Sequence, residues 1–235
     1  MLKFLVGLAV FPTALFLLLE AAKSFKLILL HWQATAWFVG GMAAYSLLHW
    51  LGWKFVQVYV LAHELVHAIA GLLCGYSVKG LPKVGKSGGE VVLDGSNAFV
   101  ALAPYCVPLY ALLLPGIYQL LLLKWPQLAV HRDIFTAGIG FFLAFHVLHT
   151  FDTLYQTKQS DISMAGGAVF SYSMITAANG IMLLAAFRVL YPDTVDTAQS
   201  AGSIWDSTLA FWRGAWHYSC SAAVWVYMQS LGGKA

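Results

Sequence analysis

The chain has 235 residues, 60% of them hydrophobic and only 10% charged, with a mean hydropathy of +0.73 and a formal net charge of +3. An ordinary soluble domain carries about 25% charged residues, so the composition argues against a soluble fold and for a single membrane-embedded domain over residues 1–235, an all-α polytopic membrane protein in the lipid bilayer. The basic residues are scattered and form no stripe, which argues against a nucleic-acid partner.

In chain order, "MLKFLVGLAVFPTALFLLLEAAKS" comes first. Lys3 followed by an apolar run has the look of a signal peptide. Glu20, however, stands where a small residue should precede a cleavage after Ala22, so the segment reads as a retained first transmembrane helix. Hydropathy gives about six transmembrane helices, near residues 2–20, 27–51, 55–75, 97–123, 134–156 and 167–191. Residues 76–96, "YSVKGLPKVGKSGGEVVLDGS", are polar and Gly-rich. A turn at Gly88-Gly89 entering a strand predicts a small β-hairpin at the membrane surface, directly after the third helix. Residues 204–230 are rich in Trp but interrupted by Asp206, Arg213 and His217, which predicts an interfacial amphipathic helix or a seventh span.

Two further expectations concern single residues. Cys74, Cys106 and Cys220 are far apart and form no CxxC, so they read as buried small hydrophobes. If every span crosses, Lys23, Lys26, Lys79, Lys83, Lys86 and Lys158 share one side, against Lys3, Lys54, Lys124 and Arg132 on the other. The excess places the 76–96 and 157–166 loops together in the cytoplasm.

The third span holds "LAHELVHAIAGLL". Ionisable residues within a span are expensive and mark functional sites. His63 and His67 are four apart and share one helix face, so both imidazoles can bind one Zn2+ ion. Glu64 follows His63 and is placed to act as general base on a water at the metal, which is the physical content of H-E-x-x-H. Zinc lowers the pKa of such a water to about 7 and polarises a carbonyl. The apolar setting strengthens its pull on an oxyanion.

A catalytic zinc takes a third protein ligand. The candidates are Asp94 in "LDG", His146, His149 and Asp152 in "FHVLHTFD", and Asp161 in "KQSDISMAGG". At ~1.5 Å per residue, His67 lies roughly 12 Å below an end near residue 75 and His149 roughly 10 Å below one near residue 156. Depth alone therefore favours His149. His146 and His149 also read as a hydrogen-bonded pair or as partners that orient the ligands, and Ser160 or Asp161 as a cap of the sixth helix.

With these residues in view, the chain resembles the site-2-protease-like family of membrane zinc metallopeptidases, in its compact bacterial M50B-like branch. The resemblance covers about residues 60–190. It runs through "AHELVHAIAGLLCGYSV", "SGGEV", "ALAPYCVPLYALLLP" and "SDISMAGGAVFSYSMI", with HELVH the specific match. It implies His63 and His67 as metal ligands, Glu64 as the catalytic base and Asp161 as the third ligand. It also implies a bacterial inner membrane, membrane-protein or peptide substrates, and proteolysis in or beside the bilayer. The N-x-x-P…L-D-G segment of the better-studied relatives is missing, and Asp94 comes only 27 residues after His67, before the next span. The hairpin is expected to receive an extended substrate by strand addition. Two other readings compete. One is a membrane di-iron oxidase built on His63/His67 and His146/His149, for which the remaining histidines lack box spacing. The other is a non-catalytic scaffold that keeps a structural metal.

Overall fold

A computed structural model describes residues 1–85, 88–156 and 159–232. The chain forms nine α-helices among these residues, here α1 (Leu2–Leu30), α2 (Trp32–Trp50), α3 (Val56–Leu73), α4 (Ala98–Cys106), α5 (Leu109–Lys124), α6 (Arg132–Gln156), α7 (Ser160–Ala165), α8 (Ala168–Leu190) and α9 (Thr197–Gly232). A two-stranded antiparallel hairpin, β1 (Lys83–Val84) and β2 (Gly89–Glu90), follows α3 as expected, with Lys83 opposite Glu90. It is shorter than the sequence suggests. Beyond β2 the chain makes one isolated bridge, Val78 to Leu93.

Among the described residues, four helical segments are long and apolar enough to cross a membrane: Leu2–Leu30, Val56–Leu73, Pro126–Tyr155 and Ala168–Leu190. The bent pair α4–α5 makes a fifth if taken as one span. Its two halves meet at 70° around Val107-Pro108. Proline has no N–H to continue the ladder and restrains the residue before it. The first break in the chain comes at His31 rather than in residues 21–26. The polar stretch stays helical because buried Glu20 is paired with Lys23, 2.6 Å away, and accepts a hydrogen bond from Ser203. That last bond ties α9 to α1. The two run antiparallel, with Ser203 at Glu20 and Thr208 at Thr13.

Two parallel helix pairs frame the molecule. In α1–α8, Gly7 meets Phe170, Leu17 meets Gly180 and Phe25 stacks on Phe187. In α2–α6, Gly140 lies against the Phe38 carbonyl and Gly41 against that of Ala137. Small residues let backbones approach where no hydrophobic driving force separates lipid from helix. Aromatic packing of Tyr45 against Phe141 and Phe145 continues the α2–α6 seam. α3 joins neither pair. It runs antiparallel along α4, with His63 beside Tyr105 and His67 beside Val100.

This arrangement corrects two expectations. Lys3 donates to the Ala165 carbonyl at 2.8 Å, and Lys54 meets Asp152 at the C-terminal end of α6. Lys3 and Lys54 therefore share an end with α7 instead of opposing it. Lys23, Lys26, Lys124 and Arg132 lie towards the other end, where Phe25 meets Phe187 and Arg132 approaches Tyr191. Lys86 and Lys158 lie outside the described residues. Between Lys54 and Lys124, α3 and the bent α4–α5 pair therefore make one net crossing rather than two. Cys74 and Cys220 are exposed rather than buried, because one caps α3 at its C-terminus and the other lies on α9 beyond its contact with α1.

A Cβ at residue 140 would come 2.1 Å from the Phe38 carbonyl oxygen. Gly140→Leu is expected to force α2 and α6 apart and cost at least about 1–3 kcal/mol, the usual range for overpacking. Gly116, where an added Cβ would meet nothing within 4 Å, is the control. A thermal melt in detergent checks this: the midpoint falls for Gly140→Leu and holds for Gly116→Ala.

Candidate metal centre

HELVH occupies the middle of α3, so His63 and His67 sit one turn apart, their rings edge to face, on the face turned to α4 and α7. Asp161 reaches this face from α7. Its Oδ2 lies 3.6 Å from Nε2 of His63 and 3.6 Å from Nε2 of His67. The ligand atoms of the three residues all lie within 4.8 Å of one another, and among the described residues they are the one such cluster. Donors ~2.1 Å from a tetrahedral ion stand about 3.4 Å apart. The spacing and the His2Asp donor set therefore fit zinc with a position left open.

α7 is what makes Asp161 a member. It is a six-residue helix set between α6 and α8, packed on α4 through Ile162 and Ala165. Gly166 and Gly167, at φ 142° and 91°, turn it into α8. Asp161 is thereby 8% exposed, and it caps neither α7 nor α8. The depth argument for His149 assumed two plain crossings that end near residues 75 and 156. The chain instead lays α3 along α4 and brings α7 back over it.

Other side chains hold the triad. The Tyr105 hydroxyl donates to Asp161 Oδ2 at 2.8 Å, and the ring of Tyr105, fully buried, stands edge-on to His63. Asn179 of α8 donates to the Tyr105 carbonyl at 2.8 Å. Nδ1 of His67 is 2.9 Å from the Val100 carbonyl. A carbonyl can only accept, so in the neutral ring the proton sits on Nδ1 and the Nε2 lone pair faces Asp161. Burial opposes the charged form of Asp161, and the hydrogen bond from the Tyr105 hydroxyl favours it.

Glu64 is also buried, under the hairpin. A Cβ on Gly89 would stand 2.7 Å from Glu64 Cγ and 2.9 Å from its Oε1. Only glycine lets β2 lie this close to the carboxylate. The triad, Glu64 and the chain from Gly88 to Ser96 line a cleft of about 870 Å³.

The remaining candidates do not join the triad, although His149, Asp152 and Asp94 line the same cleft. His149 Nε2 meets the Tyr45 hydroxyl at 2.8 Å and the Lys54 carbonyl, and its ring stacks on Tyr59. Asp152 is taken by Lys54 at 2.6 Å and His49 at 3.2 Å. Asp94 accepts from the Ser77 N–H at 2.8 Å, and that bond holds its carboxyl below the usual range. His146 is buried on α6, outside the triad. Sequence reasoning gave Gly89 only a turn and had no role for Tyr105 or Asn179. The one signal was Tyr105, a phenol in an apolar helix whose hydroxyl needs a partner.

Comparison with family models, curated proteins and solved structures returns no match. The site therefore has to be read from its own geometry.

Tyr105→Phe keeps the ring and removes the hydrogen bond to Asp161. Its expected effect is a roughly tenfold loss of zinc affinity, the low end for partners of metal ligands, with little change in melting temperature. Competition against a zinc chelator measures it.

Proposed function

We propose that the chain is a membrane-embedded zinc metalloendopeptidase that hydrolyses peptide bonds of membrane-associated proteins within or near the bilayer. The observation that carries this reading is the convergence of Asp161 on both histidines of HELVH, with Glu64 beside them in one cleft. The likeness to site-2-protease-like metallopeptidases points the same way, since it singled out these four residues by motif alone. The proposal includes a multi-pass protein of the bacterial inner membrane with about six membrane-embedded segments, of which α3 and the α4–α5 pair together make one net crossing between Lys54 and Lys124. α2 supplies the span beyond the five apolar ones, because it packs along α6 from Phe38 to His49.

His63, His67 and Asp161 would hold the ion. Zinc there supplies a Lewis acid that polarises the scissile carbonyl and acidifies water. Glu64 takes the proton of the attacking water and delivers it to the leaving amine. Val100 keeps His67 in the tautomer that points Nε2 at the site, and Tyr105 keeps Asp161 in reach. β2 borders the cleft with its backbone near Glu64, so an extended substrate segment would lie along it in strand fashion. No observation favours a di-iron oxidase: His146 and His149 do not join the His63–His67 cluster.

Glu64→Gln tests the reading. With β-casein as an unstructured substrate and mass spectrometry of the fragments, wild type is expected to cleave. The variant is expected to lose a factor of about 10²–10⁴, the usual worth of a general base, while keeping its zinc and its melting temperature. Cleavage by Glu64→Gln at the wild-type rate would remove Glu64 as the base.

A further inference from the structure

The two histidines of the triad are supported unequally. His67 hands its Nδ1 proton to the Val100 carbonyl. Nδ1 of His63 is buried and has no hydrogen-bond partner in the protein. A histidine that binds metal through one nitrogen almost always gives its other N–H to an acceptor, and a buried polar group without a partner calls for an explanation. The acceptor for His63 has to come from somewhere.

Across from α3, His146 of α6 presents the same problem. It is 6% exposed, and its Nε2 is buried and unpartnered. Its ring also approaches Asn179 and the Tyr105 backbone. His63 and His146 line one small cavity of about 10 Å³ between α3, α6 and the α4–α5 bend. The least volume that holds a water is roughly 10–15 Å³. Most of the rest of the wall is apolar, including Val66, Val107 and Phe142. Of the two tyrosines that border it, Tyr110 donates to the Val58 carbonyl, whereas the Tyr59 hydroxyl, near Thr150 and Thr153, is buried without a hydrogen-bond partner. Two imidazole nitrogens and the Tyr59 hydroxyl are thus in want of a partner among the residues around a space of one-water size, and the two nitrogens offer it a donor and an acceptor.

We propose that this cavity is a binding site for one ordered water, which accepts a hydrogen bond from Nδ1–H of His63 and donates one to Nε2 of His146. His146 is then a positioning residue that acts on the metal site through His63. It fixes the His63 tautomer with Nε2 directed at Asp161, as Val100 does for His67. Together with Asn179 and Tyr105 it joins both ends of the triad to one hydrogen-bonded frame across α4, α6 and α8. The arrangement also gives a reason for an ionisable residue deep in an apolar helix.

The inference rests on the metal reading of His63, His67 and Asp161. It is tested on the full-length protein in detergent with zinc affinity, by chelator competition, and the melting temperature of the metal-free form. The variants are His146→Leu, His146→Gln and His146→Asn, with His67→Ala as the control that removes a ligand. Gln reaches the water and Asn is shorter, so the expected order of affinity is wild type, Gln, Asn, Leu. His146→Leu falls 10- to 100-fold and His146→Gln stays within a few-fold of wild type, at similar metal-free melting temperatures. Equal affinity in His146→Leu and wild type overturns the proposal. So does an equal loss in all three variants, which would mark His146 as packing only. If wild type takes no zinc, the metal reading fails and this inference with it. If zinc binds and is lost in His67→Ala while the His146 series stays flat, this inference alone fails.

Discussion

Four ionisable groups, two buried and two half-buried, line one cleft: His63, Glu64, His67 and Asp161. Each costs free energy to bring out of water, and the cost is met only where the groups serve one another. Asp161 is the point on which the arrangement turns. Its carboxylate faces both imidazoles and accepts from Tyr105, so removing it leaves two histidines with nothing between them. Much of the local fold exists to bring it there. The short α7, the glycine turn after it and the packing of Ile162 and Ala165 on α4 all place residue 161 opposite α3.

The larger frame explains why those short elements can be held so closely. The parallel pairs α1–α8 and α2–α6 are long, and their glycines let the backbones touch. Between them α3, α4 and α7 are short or broken, and irregular backbone at such depth is tolerated where it is buried in protein or borders a polar cleft. Here it does both. The bend at Val107-Pro108 turns α4 towards α3 and α7 while α5 continues along α6, with Tyr118 stacked on Phe135. The hairpin closes the cleft over Glu64, and Gly89 lets it come so near.

The sequence showed the parts that depend on local pattern. HELVH at helical spacing announced a shared face, and the apolar runs near residues 55–75, 134–156 and 167–191 match α3, α6 and α8 to within a few residues. The Gly88-Gly89 turn announced the hairpin. Asp161 was reached through resemblance, whereas the residue-by-residue depth estimate pointed to His149. That estimate treated each apolar run as a straight crossing, and periodicity carries no information about how α3 tilts or that α7 folds back. Tyr105 and Asn179 were invisible for a related reason: their roles arise from contacts across 56 and 74 positions of chain. The run at residues 21–26 misled in the other direction. Its charges suggested a break, but pairing of Glu20 with Lys23 and Ser203 let the helix go on.

The central claim is that one zinc ion is held by His63, His67 and Asp161. Elemental analysis of purified wild type, Asp161→Ala and His149→Ala addresses it directly. The account predicts one zinc per chain in wild type and in His149→Ala, and loss of the metal in Asp161→Ala. Zinc retained in Asp161→Ala and lost in His149→Ala would contradict it, as would two irons per chain in wild type.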